Sequence, residues 1–131
     1  MTVFVDTSAL YALLDEDDRF HAPAAAAFRS IAAQELTTHA YVIVETLALV
    51  GARLGIDAVE RLINSLLPVV SVSVVDEALH AQSLSTFRAA RTTAVSFVDH
   101  VSFAFMRGRG VDVAFAFDAD FGAEGFGLLP G

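Results

Sequence analysis

Four acidic residues carry the strongest chemical suggestion in this chain: Asp6, Glu45, Asp99 and Asp118. Asp6 closes a short β-rich run and Asp118 closes another, and in open parallel sheets ligands bind at the carboxyl ends of strands. Each also has a bland explanation: Asp6 as a helix cap, Asp118 as a turn former before Phe121-Gly122. Glu45 is harder to explain that way. It lies in the most apolar helical stretch, among Val42, Ile43, Val44, Leu47, Ala48 and Leu49, where a charge is costly unless an arginine or a metal answers it. Asp99, in Ser96-Phe97-Val98-Asp99, fits a capping box with Ser96 as the cap, yet its helix continues into an apolar face.

If the four acids meet, like charge becomes the dominant energy. Two unit charges about 5 Å apart repel by roughly 3 kcal/mol at an effective dielectric near 20. Six such pairs reach about 20 kcal/mol, more than the ~5–15 kcal/mol stability of a typical domain. A converged cluster must therefore be partly protonated or hold cations. With no cysteine in the chain, an all-oxygen donor set suits Mg²⁺ or Mn²⁺ rather than zinc.

The elements that would position these acids alternate along the chain. Thr2-Val3-Phe4-Val5 reads as a buried strand, followed by the cap-rich Asp6-Thr7-Ser8 and a helix over Ala9 to Leu14. After the acidic loop Asp15 to Asp18, Ala22-Pro23 opens a helix to about Ala33. Glu35 to Thr38 is a second strand; Tyr41 to Leu54, ended by Gly55, and Ala58 to Leu66, stopped by Pro68, are helices. Val69 to Val75 is a third strand, Asp76 to Ala90 a helix, and Ser96 to Arg107 another, closed by Gly108 and Gly110. Val113 to Phe117 is a fourth strand, and Gly127-Leu128-Leu129-Pro130 adds a short fifth. The alternation predicts a single α/β domain over residues 1–131, with a central, largely parallel sheet of four to five strands flanked by helices.

Composition narrows the function classes. The net charge is −8, with eight arginines and no lysine, which disfavours a general nucleic-acid binder unless the acids hold a metal that reverses the local field. Hydrophobic residues make up 55% of the chain, a surplus that suits a partner interface. No run reaches the ~20 apolar residues of a membrane span. The opening Met-Thr-Val-Phe-Val-Asp lacks the basic start and apolar core of a signal peptide, so a cytoplasmic protein without membrane attachment is expected.

In order and spacing, Val3-Phe4-Val5-Asp6-Thr7-Ser8, the helix with Val44-Glu45, Ser96-Phe97-Val98-Asp99 and Phe117-Asp118-Ala119-Asp120-Phe121 resemble the motifs of PIN-domain ribonucleases. Within that family the likeness is to the VapC toxins of toxin–antitoxin pairs, and it spans essentially the whole chain. The resemblance implies a PIN-like α/β fold and Mg²⁺-dependent cleavage of RNA, with Mn²⁺ able to substitute. It implies that Asp6, Glu45, Asp99 and Asp118 are the catalytic acids and hold the metal, that Asp120 supports them, and that Thr7 and Ser96 orient a water or a ligand carboxylate. It also implies a cognate antitoxin as partner. One position departs from the family pattern: Ala116 stands where Ser or Thr is frequent.

Further expectations concern the surroundings. Without lysine, RNA contacts fall to arginines such as Arg107 and Arg109, although solvated arginines ending a helix explain both. His100 is expected to point away from the acids, as a surface or partner residue. A homodimer through the apolar helices is expected. Two enzyme-like alternatives fit poorly. A phosphoryl-accepting receiver domain resembles such chains in its aspartates but uses a lysine, and a dehalogenase-like phosphatase places its Asp-x-Asp motif near the start. A non-catalytic acidic binding module on the same scaffold remains the competing class.

Overall fold

The computed structural model describes residues 1–131. Five strands, β1 (Thr2–Val5), β2 (Glu35–His39), β3 (Ser71–Ser73), β4 (Val113–Phe115) and β5 (Gly127–Leu129), form one sheet in the order β3-β2-β1-β4-β5. All four pairings are parallel, as the alternation of elements anticipates. Around them stand α1 (Thr7–Leu14), α2 (His21–Ile31), α3 (Ala40–Leu54), α4 (Ile56–Arg61), α5 (Glu77–Ala89), α6 (Phe97–Arg109) and the single turn α7 (Asp120–Ala123). None of these helices is long and apolar enough to cross a membrane.

Helices α1 to α4 pack on one another, and α5 packs on α6. Right-handed crossovers put these two groups on opposite faces of the sheet. Side-chain alternation agrees. Phe4 stacks towards Phe105 of α6, while Phe115 meets Phe28 of α2. Phe4, Phe103, Phe115 and Phe121 are fully buried and fill the main core. A smaller cluster of Leu14, Val50, Ala58 and Leu62 seals α1 against α3 and α4.

Strand β1 is the centre of the sheet, and the chain leaves it one way towards β2 and returns on its other side as β4. The crevice at the carboxyl ends of β1 and β4 is therefore the switch point where an open α/β sheet offers a ligand site. The register Val5↔Phe115 and the bond from Asp6 N–H to the Phe115 carbonyl (3.1 Å) fix that edge.

Several boundaries differ from expectation for local reasons. Strand β3 keeps only Ser71–Ser73, because it is an edge strand whose Val72 and Val74 side chains face solvent. Strand β4 stops at Phe115 because the Phe117 N–H is taken by the Ser8 hydroxyl at 2.9 Å, which turns the chain out of the ladder. The helix expected over Ala58 to Leu66 starts earlier and becomes a π-helical turn at Leu62–Leu66, followed by a 3₁₀ turn containing Pro68. Helix α6 runs through Gly108 and ends at Gly110, whose φ of 66° supplies the left-handed cap.

Candidate active site

Asp6 is the N-cap of α1, so the helix-cap reading is correct, but the cap does not exhaust its chemistry. Its Oδ2 accepts both the Ser8 N–H (3.1 Å) and the Ser8 hydroxyl (2.6 Å), while Oδ1 takes no hydrogen bond. The side chain is buried, and burial is the main reason its pKa rises to about 6. The Ser8 bonds oppose the rise; the charges of Asp118 and Glu45 add to it.

Asp99 sits in the first turn of α6, buried, with its N–H donating to the Ser96 hydroxyl at 3.1 Å. Only half of the capping box forms: no bond returns from the Asp99 carboxyl to Ser96, and that carboxyl lies instead within 4.8 Å of Asp118. Its pKa is pushed up to about 9, first by burial, then by the Asp118 hydrogen bond and the charges of Asp6, Asp118 and Glu45. Asp118 also makes its turn: its Oδ1 accepts the Asp120 N–H at 2.9 Å. That bond needs no hydroxyl at position 116, where the buried Ala116 stands.

Carboxylate oxygens of Asp99, Asp118 and Asp120 all lie within 4.8 Å of one another. Asp120, expected only as a supporting acid, thus belongs to the tightest group, and burial together with Asp118 raises its pKa. Glu45 joins from half-buried α3 through its field on both Asp6 and Asp99. No arginine answers it, since the structure's one ion pair is Arg107–Glu124. Asp99, Asp118 and Asp120 thus form one group, and Asp6, just after β1, and Glu45, on α3, are near enough to act on it through their charges, with no side-chain cation among them. Such an all-oxygen donor set, in which burial first and neighbouring carboxylates second disfavour the charged forms of Asp6 and Asp99, fits a hard divalent cation.

Other expected residues lie elsewhere. Thr7 forms a buried triangle with Thr46 and the Val42 carbonyl (3.3, 3.0 and 2.7 Å), holding α1 to the helix that carries Glu45. Ser8, not Thr7, is the hydroxyl on Asp6; the N-cap rule, which directs the cap carboxylate to the second helical residue, points to it. Arg107 bonds Glu124 at 2.9 Å, and Arg109 lies over Phe105 beside Thr2 and Glu35, where the strands begin. Both sit at the far end of α6, roughly 12–15 Å along its axis from Asp99. His100 is not a surface residue. It is buried between Phe87 and Phe103, with its Nε2 unpartnered.

The residue missed by motif reasoning is His39. Its Nδ1 accepts the Tyr41 and Val42 N–H groups (3.2 and 3.4 Å), which leaves the proton on Nε2 to bond the Ser102 hydroxyl at 2.9 Å. Ser102 in turn donates to the Val98 carbonyl. The imidazole thus joins the start of α3 to the first turns of α6, and burial lowers its pKa to about 4, keeping it neutral.

The chain and its fold have counterparts among known proteins. The PIN domain family matches residues 3–125. The chain belongs to the PIN-domain family. This PIN domain is 37% identical, over 125 residues and 95% of both chains, to the 23S rRNA-specific endonuclease VapC20 of Mycobacterium tuberculosis. The crystal structure of that protein, described as a sarcin–ricin loop cleaving toxin, superposes with a TM-score of 0.85 at 36% identity, covering 95% of each chain. The fold also matches FitAcB from Neisseria gonorrhoeae, with a TM-score of 0.71 at 20% identity over 98% of this chain and 96% of that one.

Proposed function

We propose that this PIN domain is a Mg²⁺-dependent endoribonuclease, with Mn²⁺ as a substitute, and the toxin of a type II toxin–antitoxin pair acting in the cytoplasm. The observation that supports the reading is the group of Asp99, Asp118 and Asp120 at one sheet edge, with Asp6 and Glu45 acting on it through their charges and no cationic side chain paired to it. These acids would hold the cation. When bound, it supplies Lewis acidity towards water and neutralises charge building on the phosphodiester.

The chain's own groups do the rest. Ser8 fixes Asp6 through two bonds on Oδ2, leaving Oδ1 for the site. An ionised carboxyl of the cluster takes the proton from the attacking water. The water oxygen forms a bond to phosphorus, the P–O3′ bond breaks, the leaving O3′ takes up a proton from solvent, and the products carry a 5′-phosphate and a 3′-hydroxyl. The ribose 2′-hydroxyl is not used.

The VapC20 relative makes the sarcin–ricin loop of 23S rRNA the first substrate to test. Purified protein incubated with that RNA and Mg²⁺ or Mn²⁺ should cut it at discrete positions and stop on addition of EDTA. Metal-independent binding without turnover would instead assign a non-catalytic acidic module.

The partner reading follows from charge and exposure. With a net charge of −8 and an acid cluster lacking a cation, an antitoxin would inhibit by placing an arginine among the carboxylates, in competition with metal. Val44, Ile56 and Val74 are 65%, 69% and 83% exposed, apolar surface suited to the antitoxin and to a homodimer. Co-purified toxin and neighbouring small protein should cleave RNA slowly and recover as Mg²⁺ rises; unchanged cleavage by the complex would refute inhibition by occupation.

A further inference from the structure

The chain's fixed cations are all arginines, and a net charge of −8 repels a polyanion, so affinity for RNA must come largely from contacts other than phosphate pairing. Four of the eight arginines are engaged away from the acids. Arg107 pairs with Glu124, Arg61 donates to the Leu14 carbonyl, and Arg53 and Arg109 lie over Tyr11 and Phe105.

Arg19 is likewise exposed and makes no ion pair, although Asp15 to Asp18 precede it, and it differs in the ring it covers. Its guanidinium lies 4.5 Å from the centre of the Phe20 ring. The Phe20 ring in turn stacks on Phe117, with centroids 4.6 Å apart and planes 16° from parallel. Phe117 immediately precedes Asp118, and its N–H bonds the same Ser8 hydroxyl that holds Asp6. Both rings are half-buried rather than sealed in the core. The loop carrying them is pinned: the Phe20 N–H donates to Asp18 at 2.8 Å, and Tyr11 donates to Asp15 at 2.7 Å.

We infer that Arg19, Phe20 and Phe117 form a stacking platform that holds a nucleobase of the RNA beside the cleaved phosphodiester. The inference rests on the RNA-cleavage reading above and names the residues that would position that substrate. Planar aromatic and guanidinium groups are the surfaces on which unstacked bases are held, and they attract every base through its π face without needing a phosphate contact. An acidic nuclease without lysine gains affinity this way while its carboxylates stay free for metal. The platform positions the substrate; it takes no part in the bond changes.

The test uses the RNA that the wild-type protein cuts, with 2-aminopurine placed in turn at each position flanking the cut. Phe20→Leu keeps apolar volume but removes the π face, Phe20→Trp keeps a π face, and Arg19→Gln alters only an exposed group. Phe20→Leu should raise KM roughly 5- to 100-fold, with kcat within a factor of about 3, and abolish the quenching seen at one flanking position. Phe20→Trp should restore both, and Arg19→Gln should raise KM by a smaller factor. A Phe20→Leu protein with wild-type KM and quenching overturns the platform, as does a loss confined to kcat. Unchanged KM with weakened antitoxin binding assigns the stack to the protein partner and overturns it too. A wild-type protein that neither binds nor cuts RNA overturns the RNA-cleavage reading itself, and the platform with it.

Discussion

Removing metal should make the stability of this protein fall as pH rises through neutrality, and Asp99 is the reason. Its carboxyl pKa goes from 3.8 in an ordinary setting to about 9 in the fold. Between those values the folded state binds one proton more than the unfolded chain, so rising pH favours unfolding. The slope for one such proton is about 1.4 kcal/mol per pH unit, which amounts to about 2 kcal/mol between pH 6.5 and 8. For a domain of this size that corresponds to a drop in Tm of about 7 °C. Asp6, at about 6, has largely ionised by the lower end of that window. A divalent cation binds the ionised cluster, so saturating Mg²⁺ should flatten the slope and raise Tm more at pH 8 than at pH 6.5. Thermal melts in EDTA and in Mg²⁺, across that pH range, measure both effects. Asp99→Asn deletes the titrating group and should lose most of the slope in EDTA. Identical slopes for wild type and Asp99→Asn would refute the reasoning, as would melts insensitive to Mg²⁺ at pH 8.

Two further perturbations address the supports of the site. Ser8→Ala removes the 2.6 Å bond to Asp6 and the acceptor of the Phe117 N–H; it should cost about 1–3 kcal/mol in urea unfolding and raise the Asp6 pKa above 6, read by NMR titration of its carboxyl carbon. His39→Ala empties a buried site and leaves the Tyr41 and Val42 N–H groups and the Ser102 hydroxyl without their partner. It should cost on the order of 2–4 kcal/mol. Because His39 stays neutral with a pKa lowered to about 4, its contribution to stability is lost as pH falls from 6.5 towards 4, and His39→Ala should flatten that acid limb.

The acids that end or follow strands were legible because a parallel sheet has one binding edge, and the strand at Thr2 to Val5 announces where that edge is. Glu45 stood out because a charge in an apolar helix lacks a bland explanation, and the absence of an arginine beside it in the fold removes the remaining one. Asp120 was undervalued because sequence adjacency to Asp118 says nothing about whether a turn folds both carboxylates inward. Arg107 and Arg109 looked like ligand contacts only while the direction of α6 was unknown; the helix begins at the acids and carries its last turn to the opposite end of the sheet. His39 could not be found by motif, since a histidine that caps one helix and bonds another depends on a contact across 63 residues. The shortening of β4 has the same origin, a Ser8–Phe117 bond between distant segments.

The most direct test of the shared carboxylate site is RNA cleavage by Asp99→Asn against wild type, in saturating Mg²⁺ or Mn²⁺, with folding checked by thermal melts. The substitution preserves shape and removes one ligand charge, so cleavage should fall by at least ~100-fold, a loss of about 3 kcal/mol in transition-state stabilisation. The fold should persist, because repulsion within the cluster is relieved. Cleavage by Asp99→Asn at the wild-type rate would contradict the account.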